Sequence, residues 1–121
     1  MAPPSALTIA TSSVQRLIKE EASYHKELKS QEARLEKLLA SKDEDENAEY
    51  QLKQERTAIE ETKAVFPPLT VRLEDALHKL EDKLDAEKNN GASAEEVSKA
   101  EGVITEAKKV IADAKAAAAS K

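Results

Sequence analysis

An apolar stripe in residues 50–84 keeps its phase across two consecutive prolines. Leu52, Ile59, Phe66, Leu69, Leu73, Ala76 and Leu80 recur at steps of three, four or seven, which lays side chains along one face of an α-helix. Pro67 and Pro68 sit inside that stripe. Each lacks the amide that would bond back to Lys63 or Ala64, and each ring crowds that carbonyl, at roughly 3 kcal/mol or more in a helix interior. Pro68 also biases Pro67 away from the α region. The middle of the chain therefore reads as a helix over about 47–88, kinked or broken at Pro67-Pro68, with one of the prolines opening its second piece.

Two more helices are expected beside it. Val14, Leu17, Glu21, Tyr24, Leu28, Gln31, Leu35 and Leu38 alternate steps of three and four, a heptad seam, and predict a first helix over about 13–41 capped by Thr11, Ser12 or Ser13. Ile18 and Leu39 widen its stripe. Glu21 and Gln31 put polar groups in the seam. They could fix register, but the reading adopted is that the seam widens there and both side chains reach water. Ser41 to Asn47 reads as a loop, with Asp45 or Asn47 capping the second helix. Asn89-Asn90-Gly91 is a helix stop. Ser93-Ala94-Glu95-Glu96 is a capping box that opens a third helix over about 94–116. Its face is Val97, Ala100, Ile104, Ala107, Ile111 and Ala114, flanked by Val103 and Val110. Gly102 weakens it. Met1 to Ala10 reads as a loose tail, and Ala116 to Lys121 should fray.

The fold class expected is all-α: one domain over 1–121, an antiparallel, coiled-coil-like three-helix bundle. Composition agrees, since 121 residues with two glycines, three aromatic residues and 36% charged residues do not suit a sheet-based core. There is no cysteine, so neither a disulfide framework nor thiol chemistry is available. No apolar run approaches the roughly 20 residues of a membrane span. The net charge is −5, and residues 43–49 alone carry −5, so no stretch is basic enough to follow nucleic acid or anionic lipid.

Parts for catalysis are scarce. His25 and His78 are the two histidines. Glu74 and Asp82 lie one turn either side of His78, but a solvated histidine among helix-surface charges is the plainer reading than a metal site. No phosphate loop, zinc-protease helix or dinucleotide fingerprint occurs. The expectation is no enzyme, no cofactor and no pocket, but a binding surface. Most large apolar residues are committed to the core, which excludes a general holdase and leaves a polar helical surface bearing Lys19, Glu20, Glu27, Arg34, Lys37, Lys53, Gln54, Arg56, Glu61 and Arg72. The heptads of the first two helices also permit an alternative, a generic helical-bundle adaptor or oligomerisation module.

Particular residues narrow this. Thr11, Val14, Arg16, Leu17, Lys19 and Glu20 form T-x-x-V-x-R-L-x-K-E. Tyr24-x-Lys26-Glu27, Gln31-Glu32 and Glu36-Lys37 follow. After the acidic loop come Tyr50, Lys53-Gln54, the run Glu61 to Pro67, and Arg72-Leu73-Glu74. In this order the chain resembles the tubulin-specific chaperone A family, also called tubulin-binding cofactor A, over roughly residues 11–84. Where such proteins commonly have Pro-Asp, this chain has Pro67-Pro68, and its third helix matches only in pattern.

The resemblance implies a three-helix bundle that binds quasi-native β-tubulin after chaperonin release and holds it for delivery to heterodimer assembly. It implies no nucleotide, metal or catalysis. Partner contacts would lie along the polar helix faces, at Lys19, Glu20, Tyr24, Glu27, Gln31, Lys37, Tyr50, Lys53, Gln54 and Arg72; seam-edge packing is the competing role for Tyr24 and Tyr50. Other tubulin-folding cofactors are further expected partners. The expected state is a monomer or weak homodimer, in the cytoplasm and associated with the cytoskeleton.

Overall fold

The computed structural model describes residues 4–44 and 46–120, so Asp45, one expected cap, and the ends of both tails lie outside the described residues. The elements are α1 (Ala6–Ala40), a single 3₁₀ turn (Lys42–Glu44), α2 (Ala48–Lys63), α3 (Phe66–Glu87) and α4 (Ala94–Ala119). Among the described residues there is no strand, and no helix is long and apolar enough to cross a membrane.

The break in the middle stripe falls just before the prolines. The Ala64 amide donates to the Glu60 carbonyl at 3.0 Å, and the Val65 amide turns back to Thr62 at 3.1 Å. Phe66, Pro67 and Pro68 then make up the start of α3. First-turn amides have no acceptor within their own helix, so two missing N–H groups cost nothing there. The expectation that a proline would itself be the first residue, and that Pro67 would be pushed out of the helix, is corrected by this placement.

The chain forms two compact units. One takes residues up to Glu20 and from Leu69 onward; the other is Glu21–Pro68. In the first, three helices supply buried side chains at helical spacing. They are Leu7, Val14, Leu17 and Ile18 from α1, Leu69, Leu73, Leu77, Leu80 and Leu84 from α3, and Ala100, Val103, Ala107 and Ile111 from α4. Leu77, Leu84 and Val103 are more central than the expected stripes placed them, while Ala76 and Ile104 sit half-exposed at the edges. Paired charges order these helices. Arg72 of α3 meets Glu20 of α1 at 3.8 Å, and the Leu7 amide donates to Glu87 at 3.1 Å. Glu74 meets Lys115 at 2.9 Å and Glu81 meets Lys108 at 3.4 Å.

The start of α1 departs most from the sequence reading. Residues expected in a loose tail are helical from Ala6, and Leu7 is 0% exposed. Ser5, not Thr11 to Ser13, does the capping: its hydroxyl accepts the Thr8 amide at 3.1 Å, and its carbonyl accepts the Ile9 amide at 2.9 Å. Thr11 lies inside the helix, buried, with its hydroxyl donating back to the Leu7 carbonyl at 2.8 Å. At the other end of the chain α4 runs to Ala119 rather than fraying from Ala116.

The second unit has two helices for its core, so its seam is thinner. Leu28, Leu35 and Leu38 stay half-exposed, facing the heptad Ala48, Leu52, Glu55, Ile59 and Thr62 of α2. Glu21 and Gln31 do not reach water; they are 7% and 6% exposed. The seam closes over these two positions, while the seam residues Tyr24, Leu28, Leu35 and Leu38 between and beyond them keep part of their surface exposed. Leu39, one step off the seam, is 41% exposed.

The loop chemistry around α4 follows the sequence. Gly91 adopts φ 96°, a left-handed conformation suited to glycine, and the Ala92 amide donates to the Glu87 carbonyl at 3.2 Å to close α3. Ser93 and Glu96 form the reciprocal capping box.

Candidate partner-binding surface

Long helices with few glycines give no strained loops or deep clefts, so functional side chains must be displayed along helix faces. The ten candidate residues divide between the two units. In the first, Lys19 is exposed and Glu20 is half-buried. Arg72 is exposed and reaches Glu20 across the α1–α3 junction. Arg72 also rims an open groove of about 690 Å³ whose floor includes Ala10, Leu17 and Ala76 and whose rim adds Lys79 and Lys83. Ile9, at 56% exposed, stands at that groove.

In the second unit, Tyr24 is half-buried, edge-on to Phe66 with ring centroids 6.4 Å apart. His25 also stacks on Phe66, with ring centroids 4.5 Å apart and its Nε2 3.0 Å from Glu21. One edge of the Tyr24 ring is thus packed, and the rest keeps part of its surface exposed. Tyr50 behaves otherwise: it is 64% exposed, and its hydroxyl accepts from Gln54 Nε2 at 3.1 Å one turn on. Glu27 and Lys37 are exposed on α1. Lys53 lines an open groove of about 820 Å³ with Lys42, Arg56, Glu60, Leu39 and Leu52.

Gln31 is the correction. A side chain this buried offers almost no surface to a partner, and its place in the heptad seam is the reason. Its Oε1 receives no hydrogen bond among the described residues. Glu55 Oε1 of α2 is also buried, facing the Arg34 guanidinium at 3.7 Å. Of the candidates the structure brings together two pairs, Glu20 with Arg72 and Tyr50 with Gln54. Sequence reasoning missed the two grooves. Ile9 was legible in principle, since it falls out of phase with Leu7, Thr11 and Val14; Leu39 likewise adjoins the seam residue Leu38.

One carboxylate is held by a cluster of donors. Glu96 Oε2 accepts from the hydroxyls of Ser5 and, at 3.1 Å, Thr8; Oε1 accepts from the Ser93 amide and hydroxyl at 3.3 Å. The Ser5 hydroxyl foremost, then the Ser93 amide and Thr8, hold the Glu96 carboxyl below the usual carboxylate range. That is a structural node, not a catalytic one. At His78 the imidazole lies 3.9 Å from Glu81, while Glu74 is engaged by Lys115. Among the described residues no group of three or more His, Asp or Glu side chains is placed to hold a metal. The arrangement offers open, charge-rimmed grooves with small apolar floors, suited to the surface of another macromolecule.

Known proteins share this design. The family described as Tubulin binding cofactor A matches residues 2–104. The chain is similar to the tubulin-specific chaperone A of Saccharomyces cerevisiae, 33% identical over 108 residues, which span 89% of this chain and 95% of that one. It is similar to the tubulin-specific chaperone A of Mus musculus, 34% identical over 102 residues, spanning 84% and 90%. A solved structure described as RBL2P, beta-tubulin binding post-chaperonin cofactor, superposes with a TM-score of 0.76 at 33% identity, covering 88% of this chain and 98% of that one.

Proposed function

We infer what this chain does from one premise: it belongs to the tubulin binding cofactor A family. It is a tubulin-folding chaperone that binds β-tubulin. It holds the quasi-native monomer after chaperonin release and hands it on to heterodimer assembly. The observation that carries this reading is the solved relative described as a β-tubulin binding post-chaperonin cofactor, which shares its fold along nearly its whole length. The surface supports it: large apolar side chains are mostly buried, so recognition runs through charge and shape rather than through a greasy patch.

The mechanism is mass action. A protein that binds the near-native state, and not the unfolded chain, raises that state's population without any chemistry. Lys19, Lys37, Lys53 and Arg72 supply the cations of the contact, with Glu20, Glu27, Tyr24, Tyr50 and Gln54 beside them. The opposite order of the α1–α3 and α3–α4 pairings supports the antiparallel, coiled-coil-like arrangement expected of the family. The same reading places the protein in the cytoplasm beside the cytoskeleton, as a monomer or weak homodimer, with other tubulin-folding cofactors as further partners.

Incubating the full chain with separated tubulin monomers tests this. Retention of β-tubulin in preference to α-tubulin is the expected result. Equal retention of both, or of neither, contradicts it.

A further inference from the structure

We propose that Ser41 is a phosphorylation site for a serine kinase that selects its acceptors by acidic side chains on their C-terminal side, and that the phosphate opens the end of α1. Asp43 and Glu44 lie two and three residues downstream of Ser41, with Glu46 beyond. Thr57, Ser93 and Ser98 also have a glutamate three residues on, at Glu60, Glu96 and Glu101. The structure separates these four hydroxyls.

Thr57 and Ser98 lie within α2 and α4, where a kinase that grips an extended segment would first have to unwind a helix. Ser93 has its hydroxyl engaged by the Glu96 amide at 3.1 Å, and the glutamate that would be read is itself held by Ser5 and Thr8. Ser41 is the first residue past α1. The 3₁₀ turn that follows it, Lys42–Glu44, buries no residue. Its backbone is fastened by the Glu44 amide on the Ser41 carbonyl at 3.0 Å. Asp43 and Glu44 are exposed and make no ion pair among the described residues, so a basic peptide groove meets them unopposed.

The step is a phosphoryl transfer from ATP. Ser41 Oγ attacks the γ-phosphorus, the Oγ–P bond forms, and the bond from that phosphorus to the β,γ-bridging oxygen breaks. The hydroxyl proton passes to the kinase's base and ADP leaves.

The consequence follows from what the hydroxyl does now. Ser41 Oγ donates to the Lys37 carbonyl at 3.0 Å, a second bond beside that of the Ser41 amide, which donates to the same carbonyl at 3.1 Å, and together they fasten the last turn of α1. Phosphorylation removes the hydroxyl donor and adds a charge of about −1.5 to −2 at the negative end of the helix dipole, beside Asp43 and Glu44. The final turn of α1 is destabilised. Leu39 and Lys42, either side of Ser41 in sequence, belong to the wall of the second unit's groove, so that wall changes shape and charge. The effect on partner binding rests on the function proposed above; the site and its effect on α1 do not.

The test treats the full chain with a purified acid-directed serine/threonine kinase and ATP, followed by intact mass and peptide mapping. One phosphate on Ser41 is expected, with the initial rate falling at least about tenfold in Ser41→Ala and in the double variant Asp43→Asn, Glu44→Gln. No incorporation, or incorporation undiminished in Ser41→Ala, overturns the site. In the modified wild type the Tm should fall by about 1–4 °C. A Tm that holds or rises in a chain carrying phosphate on Ser41 overturns the claim that the group opens α1. Ser41→Ala taken through the same treatment controls for the kinase and nucleotide.

Discussion

Ser5 donates its hydroxyl to the Glu96 carboxylate, so the residue that caps α1 is bonded to the residue that completes the capping box of α4. A carboxylate 91 positions away in sequence thereby settles where the first helix begins. Glu87 adds a second, accepting the Leu7 amide, so two negative groups stand at the positive end of α1.

Acid should act through this node. The Glu96 carboxyl is held below its ordinary value by the Ser5 hydroxyl first, then by the Ser93 amide and the Thr8 hydroxyl, against desolvation. A depressed folded-state pKa gives stability that is present above the unfolded-state value and lost as pH falls through the folded one. Glu96→Gln should therefore lower the Tm near neutral pH, and the gap from wild type should close as pH falls through the depressed folded-state value of Glu96. Melting curves of both proteins across that range check this; a gap that stays constant would place the effect elsewhere.

Replacing a proline decides where the helix break comes from. If Pro67 interrupted a helix, Pro67→Ala would stabilise the protein by roughly 3 kcal/mol. In the first turn of α3 it interrupts nothing, and the substitution mainly frees the unfolded chain. Pro67→Ala is expected to destabilise by about 0.4–1 kcal/mol in urea unfolding.

Gly102 is exposed inside α4, and a methyl group there meets nothing within 4 Å. Gly102→Ala should stabilise by about 1 kcal/mol. A thermal melt should show a rise of about 2–6 °C.

Gln31 carries a buried oxygen that no donor reaches among the described residues. Gln31→Met keeps the volume and removes the orphaned group, so it should be neutral or stabilising by up to about 1 kcal/mol. Denaturant unfolding would show the opposite sign if that oxygen were satisfied.

The helical fold was readable because its signals are local. Heptad steps, the Ser93–Glu96 box and Gly91 each act within a few residues, and each appears where expected. Thr11 to Ser13 misled because capping chemistry is common near helix starts, while the actual cap draws on Glu87 and Glu96, remote in sequence. Gln31 misled because polarity suggests water, whereas at this position the seam is closed and the side chain is buried. For the surface, exposure of Lys19, Lys37 and Lys53 was legible from their phase. The pairing of Glu20 with Arg72 was not, since it depends on how α1 lies against α3.

The central claim is that the charged helix faces hold β-tubulin, and capture by the triple variant Lys19→Glu, Lys37→Glu, Lys53→Glu tests it most directly. With helical content unchanged by circular dichroism, retention of β-tubulin should fall at least about tenfold relative to wild type. Undiminished retention by a fully folded triple variant would contradict the account.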